Sequence, residues 1–382
     1  MNAIDNLRAS LDAIDSDLLD AFSRRMALAD EIADAKRAAR IPVADPERER
    51  AKLHALATSA PAALRDDAVV LWELLFELSR ARQNRRLAPS PSPLAASISD
   101  ALARTPALFP ADAPVACQGV EGAYSQIAAE RLFRHPNILY FRSFDAVFSA
   151  VEKGLCRYGV VPLENSTAGS VNGVHDLMAD HRFSIVRSVR LKVDQHLFGV
   201  PGATLAGLRE IRSHEQAFAQ CSDFLQTLPD ARLVPDVNTA AAARAVAAAG
   251  DPAVAAIASA PCGRLYGLDC LRPSIQSRGN NRTRFACISR DLEIYPGADR
   301  ASLMAVLPHK PGALYRLLSR FNALDVNLVK LESRPIPDRD FEFMFYFDLE
   351  IPAQDHRFLA LLDSLPSVCD SFTFFGAYSE IA

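Results

Sequence analysis

The first forty residues carry apolar side chains at Leu7, Leu11, Ile14, Leu18, Phe22, Ala29 and Ile32. At roughly 100° per residue these positions fall on one face of a single helix. The pattern predicts a helix from near Asn2 to near Arg40, stopped by Pro42. At 1.5 Å per residue such a helix is roughly 55–60 Å long, longer than a small domain is wide. A second helix should open at Asp45-Pro46-Glu47, with Asp45 as N-cap and Pro46 at the first helical position. A third should span roughly 62–87, with Leu71, Leu75 and Leu78 inward. Helices so unequal in length cannot cover the long seam alone, so a second copy of the chain is expected to pack on it.

Two cations interrupt that seam. On the helical wheel Arg25 lies about 20° and Lys36 about 0° from Leu18. A cation on a core-facing stripe is costly unless an anion meets it. No acidic residue shares the centre of the stripe, so the counter-charge is expected from outside the helix. A small polyanionic guest held inside a helix bundle would supply it.

The rest of the chain divides by pattern. Residues 1–88 read as all helix, and residues 89–112, rich in Pro, Ala and Ser (APSPSPLAAS, TPALFPADAP), as a linker. Residues 113–290 alternate short apolar runs (PVACQG, ILYF, YGVVPLEN, FSIVRSVRLKV, ARLVP, AVAAIAS) with helical patterns. That alternation predicts an α/β fold with helices flanking sheets. The Ala-rich stretch 239–249 reads as a helix. Residues 300–382 read strand 302–307, helix 312–323, strand 327–334, strand 341–350, helix 355–364 and strand 371–378. This βαββαβ order is ferredoxin-like.

Composition narrows the classes. The chain has 382 residues, room for two or three domains, with 49% hydrophobic and 23% charged residues, as in ordinary globular proteins. A net charge of -4 gives no argument for nucleic acid or a membrane surface. Seven cysteines, odd in number and without a CxxC pair, favour reduced thiols in the cytoplasm over a disulfide framework or a zinc site. The N-terminus is amphipathic and acidic, unlike a signal peptide, and no run approaches the ~18 apolar residues of a membrane helix.

In the helical segment, Arg8, Arg25, Lys36, Asp45, Arg48, Glu49, Ser79 and Gln83 are the candidate ligand-holding groups. Arg8 lies about 80° from the seam centre and could point across a subunit boundary. Ser79 and Gln83 are i,i+4 neighbours. These eight residues and their spacing resemble the all-helical chorismate mutase family over the whole first segment. The resemblance implies an intertwined dimer. It also implies that Arg25 and the partner's Arg8 bind the substrate carboxylates, assisted by Arg48. Lys36 and Gln83 would face the breaking ether oxygen, Glu49 would hold the ring hydroxyl, and Asp45 and Ser79 would complete the site. Chorismate is a dianion that rearranges through a polarised cyclic transition state, so positioning and charge stabilisation suffice, without a nucleophile.

In the α/β segment, Gly119 to Ser125 follows a strand and opens a helix, where backbone N–H groups could meet an anion. It is not the GxGxxG of a nicotinamide site. The VPLENS stretch (Glu164, Asn165, Ser166), Ser213-His214-Glu215-Gln216 with Gln220, and Asn281-Arg282-Thr283-Arg284-Phe285 follow. Taken in this order they resemble prephenate dehydratase, whose two α/β lobes enclose a cleft like that of a type II periplasmic binding protein. The resemblance implies Thr283 as proton donor, Arg284 as carboxylate anchor, and Glu164, Asn165, Ser166, Ser213 and Gln220 shaping the cleft. In the last segment, Pro311-Gly312-Ala313-Leu314 and Glu332-Ser333-Arg334-Pro335 resemble the amino-acid-binding ACT domain. That implies phenylalanine near Gly312, Ala313, Leu314, Glu332, Ser333 and Arg334, restraining the dehydratase. The whole reads as a cytoplasmic bifunctional enzyme of phenylalanine biosynthesis, a homodimer or higher homo-oligomer with no metal or redox cofactor. A mutase joined to a dehydrogenase lacks its dinucleotide fingerprint, and a solute-binding protein would lack its export signal.

Overall fold

The computed structural model describes residues 3–87, 92–336 and 342–381. The first unit is three helices: α1 (Ala3–Ala39), α2 (Pro46–Ser59) and α3 (Arg65–Leu87). The predicted cap is present, since Asp45 Oδ1 accepts from Arg48 N at 3.1 Å and Pro46 opens α2. The start near Asn2 lies outside the described residues. Only the C-terminal half of α1 is covered, burying Met26, Ala29 and Ala33. Residues 3–21 are exposed throughout, leaving Leu7 71% and Leu18 59% accessible. Leu71, expected inward, is 47% exposed in the single chain.

Part of the stretch read as a linker is helical, and residues 105–111 carry no regular element. Helix α4 (Pro93–Arg104) is capped by Ser92, whose Oγ accepts from Ala95 N at 3.1 Å. Its Ile98 and Ala101 are buried in the core of the C-terminal unit. Ser-Pro opens a helix as readily as it fills a linker, and Leu94, Ile98, Ala101 and Leu102 carry helical spacing.

The middle of the chain forms two lobes. The first holds β1 (Asp112–Gln118), α5 (Tyr124–Leu132), β2 (His135–Phe141), α6 (Phe144–Glu152), β3 (Tyr158–Asn165), β4 (Gly169–Ser170), α7 (Asn172–Asp180) and β5 (Ser184–Lys192). The chain then crosses to the second lobe. This holds β6 (His196–Gly199), β7 (Glu210–Ser213), α8 (Glu215–Gln220), α9 (Ser222–Leu225), β8 (Arg232–Pro235), α10 (Thr239–Ala249), β9 (Val254–Ala258), α11 (Ala260–Tyr266) and β10 (Asp269–Arg272). It returns through β11 (Arg282–Ser289), which lies between β3 and β5 and is antiparallel to both. The second sheet runs β10-β6-β9-β7-β8. Each lobe has its own apolar cores, one set around Val147, Val161 and Ile185, the other around Ala242, Ala256 and Ile257.

The C-terminal unit is β12 (Arg300–Val306), α12 (Ala313–Ala323), β13 (Asn327–Pro335), β14 (Phe343–Glu350), α13 (His356–Ser364) and β15 (Ser371–Ile381). The βαββαβ order is as the pattern predicts; the expected strand start at Phe341 lies outside the described residues. The strands run β13-β14-β12-β15, all antiparallel. The sequence pattern does not reveal that this sheet continues into the first lobe. The end of β15, Ser379–Ile381, pairs in parallel with Arg187–Val189 of β5. Gly376 permits the crossing, since a Cβ there would collide with the Ile185 carbonyl oxygen. No helix among the described residues is long and apolar enough to cross a membrane.

Candidate active sites

A cavity of about 660 Å³ opens between α1, α2 and α3. Lys36, Asp45, Arg48, Glu49, Ser79 and Gln83, six of the eight expected residues, line it. Lys36 Nζ donates to Val43 O at 2.6 Å. Arg25 stands behind the wall, its guanidinium 5.6 Å from the centre of the Phe76 ring and donating to Leu75 O at 2.7 Å. Burial lowers the Arg25 pKa from its ordinary value, as expected for a cation drawn from water without a carboxylate partner. Among the described residues neither Arg25 nor Lys36 pairs with a protein carboxylate. Gln83 is buried, its Nε2 3.3 Å from Ser79 Oγ and its Oε1 without a partner. An amide with one end idle beside a cavity is free to serve a guest. Arg8 is brought to no site in one chain; its side chain is 75% exposed on the free half of α1, 3.9 Å from Asp5.

A second cavity of about 360 Å³ lies in the cleft between the lobes. Asn165 at the end of β3 and Thr283 on β11 form its floor, and Gln220 of α8 and Gln195 of the crossover face them. Asn165 Nδ2 donates to Thr283 Oγ1 at 2.9 Å and to Asn281 Oδ1 at 2.7 Å. Its Oδ1 accepts from Thr167 N and Ala168 N, both at 3.0 Å, which fixes the amide orientation. With Thr283 Oγ1 held as an acceptor, its one proton remains available to a guest. His214 caps α8 by accepting Gln216 N on Nδ1 at 3.2 Å, which leaves the proton of a neutral ring on Nε2.

Four expected cleft residues lie elsewhere. Thr283 and Phe285 face the cleft, so Arg284 faces the opposite side of β11, as strand alternation requires. Arg284 is buried, ion-paired with Asp348 of β14 and 2.9 Å from Glu164 Oε1, out of line for a hydrogen bond. Burial opposes its charge, but Asp348, Tyr378 and Glu164 outweigh that and hold its pKa above the ordinary value. Glu164 faces the same junction, with Lys330 Nζ at 3.1 Å. Ser213 is fully buried and donates to Ile257 O at 2.8 Å. Ser166 Oγ donates to Asn280 O at 2.8 Å, outside the cavity. Among the described residues no Asp, Glu, Lys or Arg lines the cleft. The first turns of α5, α8 and α10 converge on it instead, through Tyr124, Ser125, Gln216 and Thr239.

A third cavity of about 610 Å³ surrounds the turn before α12, lined by Gly312, Ala313 and Leu314. Gly312 has φ +75° and is the N-cap of α12, a conformation that favours glycine. Glu332, Ser333 and Arg334 do not join it. Glu332 bonds Ser170 and lies 3.1 Å from Lys330, and Arg334 Nη2 donates to Asp176 at 2.6 Å.

The sequence model of the type II chorismate mutase family matches residues 7–84, and that of prephenate dehydratase matches residues 115–293. A bifunctional chorismate mutase/prephenate dehydratase of Enterobacter agglomerans is 32% identical over 381 residues, covering 97% of this chain and 95% of its own. The chain belongs to the bifunctional chorismate mutase/prephenate dehydratase family. It is an enzyme carrying both activities, the mutase in its helical unit and the dehydratase in its two lobes. An arogenate dehydratase/prephenate dehydratase of Arabidopsis thaliana is 36% identical over 69% of this chain and 71% of the relative. A prephenate dehydratase of Arthrobacter aurescens, crystallised with L-Phe, superposes with a TM-score of 0.63 at 28% identity, over 70% of this chain and 90% of that one.

The sequence reading missed Arg80 and Lys52 in the mutase cavity, and Gln195, His214 and Asn238 in the dehydratase cleft, as site residues. Helical spacing carried a signal for the first two, since Arg80 follows Phe76 by four and Lys52 follows Glu49 by three. Gln195 lies in a crossover with no local pattern.

Proposed function

We propose that the six-residue cavity of the mutase unit holds chorismate, that the cleft dehydrates the prephenate formed there, and that phenylalanine at the Gly312 turn restrains the second step. The observation that carries this reading is the presence in one chain of a cationic helical cavity and a separate, uncharged, hydroxyl-bearing cleft. In the first, Lys36 and the idle amide of Gln83 stabilise charge growing on the ether oxygen, Arg48 binds a carboxylate, and Glu49 accepts a hydrogen bond from the ring hydroxyl. Arg25 and the partner's Arg8 complete the carboxylate sites when a second α1 covers the bare seam. A homodimer follows from the same face, since burying a Leu side chain contributes roughly 1.5–3 kcal/mol.

In the cleft, prephenate loses its ring carboxylate as CO2. The electron pair of that C–C bond completes the aromatic ring, and the ring C–O bond breaks with its pair passing to the departing oxygen. Thr283 passes a proton to that oxygen and takes one back from solvent, so water leaves. With no Lys or Arg among the described residues lining the cleft, the carboxylates are met by N–H groups at the helix starts and by the amides of Gln195, Gln220 and Asn238. Arg284 accordingly has no part in substrate binding here. The seven cysteines are all free, and six are buried, in keeping with a reducing cytoplasm. The resemblance of the C-terminal unit to ACT domains, and the L-Phe of the Arthrobacter aurescens protein, support phenylalanine as effector.

The test supplies chorismate alone and follows phenylpyruvate, with and without phenylalanine. Product in its absence and suppression in its presence are expected. Formation of prephenate without phenylpyruvate would defeat the cleft assignment, and undiminished turnover at saturating phenylalanine would defeat the effector assignment.

A further inference from the structure

Arg80 belongs to none of the residues discussed above as substrate ligands, yet it stands in the mutase cavity wall. It follows Ser79 on α3 and forms an ion pair with Glu49 across the gap to α2. Both side chains are about three-quarters covered, at 27% and 28% exposure, so the pair is neither a solvated surface contact nor sealed in a core. On its other side Arg80 borders a second cavity, of about 630 Å³, between the helical unit and the turn at Lys310, Pro311 and Gly312. One helical turn earlier, Glu77 meets Arg320 of α12 at 3.2 Å, both nearly buried, which anchors this stretch of α3 against the C-terminal unit.

Charge and geometry make Arg80 more than a brace. The cavity takes a dianion, and a free carboxylate at Glu49 would repel it. Four cationic side chains (Lys36, Arg48, Lys52, Arg80) and two acidic ones (Asp45, Glu49) line the cavity from this chain, leaving a positive excess matched to a doubly negative guest. Losing Arg80 halves that excess and leaves Glu49 without its partner. A carboxylate must hold one orientation to accept a hydrogen bond from the hydroxyl while the substrate carboxylates stay at their cations. We propose that Arg80 is a positioning residue of the mutase: through its ion pair it fixes the Glu49 carboxylate toward the substrate hydroxyl and offsets its charge in a site built for a dianion. This rests on the assignment of Glu49 to the mutase site.

The test is a double-mutant cycle in the full-length enzyme with chorismate as substrate, using Arg80→Met, Glu49→Gln and the two combined. Arg80→Met should lower mutase kcat/KM about tenfold or more, mainly through kcat, the order expected when a ligand loses its aim. In the Glu49→Gln background the same change should cost less than about twofold, because the partner on which Arg80 acts is already gone. Arg80→Lys, which keeps the charge, should recover most of the loss. Dehydratase turnover on added prephenate and the unfolding temperature serve as controls against misfolding. Full mutase activity in both Arg80 variants overturns the proposal, as does an undiminished loss in the Glu49→Gln background, which would mean that Arg80 acts on substrate or on α3 directly. Unimpaired turnover in Glu49→Gln alone defeats the underlying assignment instead, and is recognised without reference to Arg80.

Discussion

Arg284→Met separates two readings of one residue. The resemblance to prephenate dehydratases makes Arg284 a substrate anchor, whereas the structure buries it at the junction with the C-terminal unit, between Asp348 and Glu164. Asp348 is itself buried, and accepts from Ser302 as well. Burial works to raise its pKa, but Arg284 and Ser302 outweigh this and hold it below the ordinary value. Removing one member of a buried pair strands the other, at a cost of about 3–5 kcal/mol. With a urea m value of roughly 2–3 kcal/mol/M, the midpoint of unfolding followed by circular dichroism should fall by about 1–2.5 M. Glu164 keeps Lys330, so the stranded charge is Asp348. Arg284→Met combined with Asp348→Asn should therefore recover most of the loss. KM for prephenate, measured where Arg284→Met is fully folded, should match the parent enzyme. A variant with unchanged stability and a KM raised tenfold or more would refute this reasoning and return Arg284 to the substrate.

Lys36→Ala should abolish mutase turnover and leave dehydratase turnover on prephenate intact, while Thr283→Ala should do the reverse; parallel loss of both activities in either variant contradicts two separate sites. Leu11→Asp combined with Leu18→Asp places two charges on the bare seam of α1 and should shift the sedimentation coefficient toward the monomer, with loss of mutase activity. A parent enzyme that already sediments as a monomer would end that reading. His175 is buried, and burial first, then Lys330, lowers its pKa below the ordinary 6.5. The unfolded chain therefore takes up a proton that the folded one refuses, so stability is full above about pH 6.5 and declines as pH falls toward the depressed folded value. Melts at pH 7.5 and 5.5 should differ more for the parent than for His175→Gln, and equal differences would contradict it.

Local signals carried much of this structure. The Asp45 cap, the Pro42 stop, the apolar strands of the lobes and the βαββαβ order all depend on neighbours within a few residues, and each lies where its pattern put it. At the candidate mutase cavity, Lys36 was legible for a related reason: a cation on an apolar helical face stands out without a second chain segment for reference, whereas the other five residues that line it came from the family resemblance. What went unseen was non-local or was read against its geometry. Thr283 and Arg284 were both drawn toward the cleft, although adjacent strand residues point to opposite faces. Ser213 was placed among the cleft residues, but its hydroxyl is consumed by the Ile257 carbonyl inside the second lobe. The Arg80–Glu49 pair joins positions far apart in sequence, and the bond between β15 and β5 joins positions farther apart still, with no pattern to announce either.

That last pairing has a mechanical consequence. β15 is at once an outer strand of the C-terminal sheet and the neighbour of β5, and β5 in turn borders β11, which carries Thr283. Two rows of hydrogen bonds therefore lie between the C-terminal unit and the threonine. A hinge between separate bodies could swing without disturbing chemistry, but a shared weave cannot. A tilt of the C-terminal strands is passed to the floor of the cleft at Thr283, so a contact that stiffens or twists one end of this fabric is felt at the other without a messenger loop.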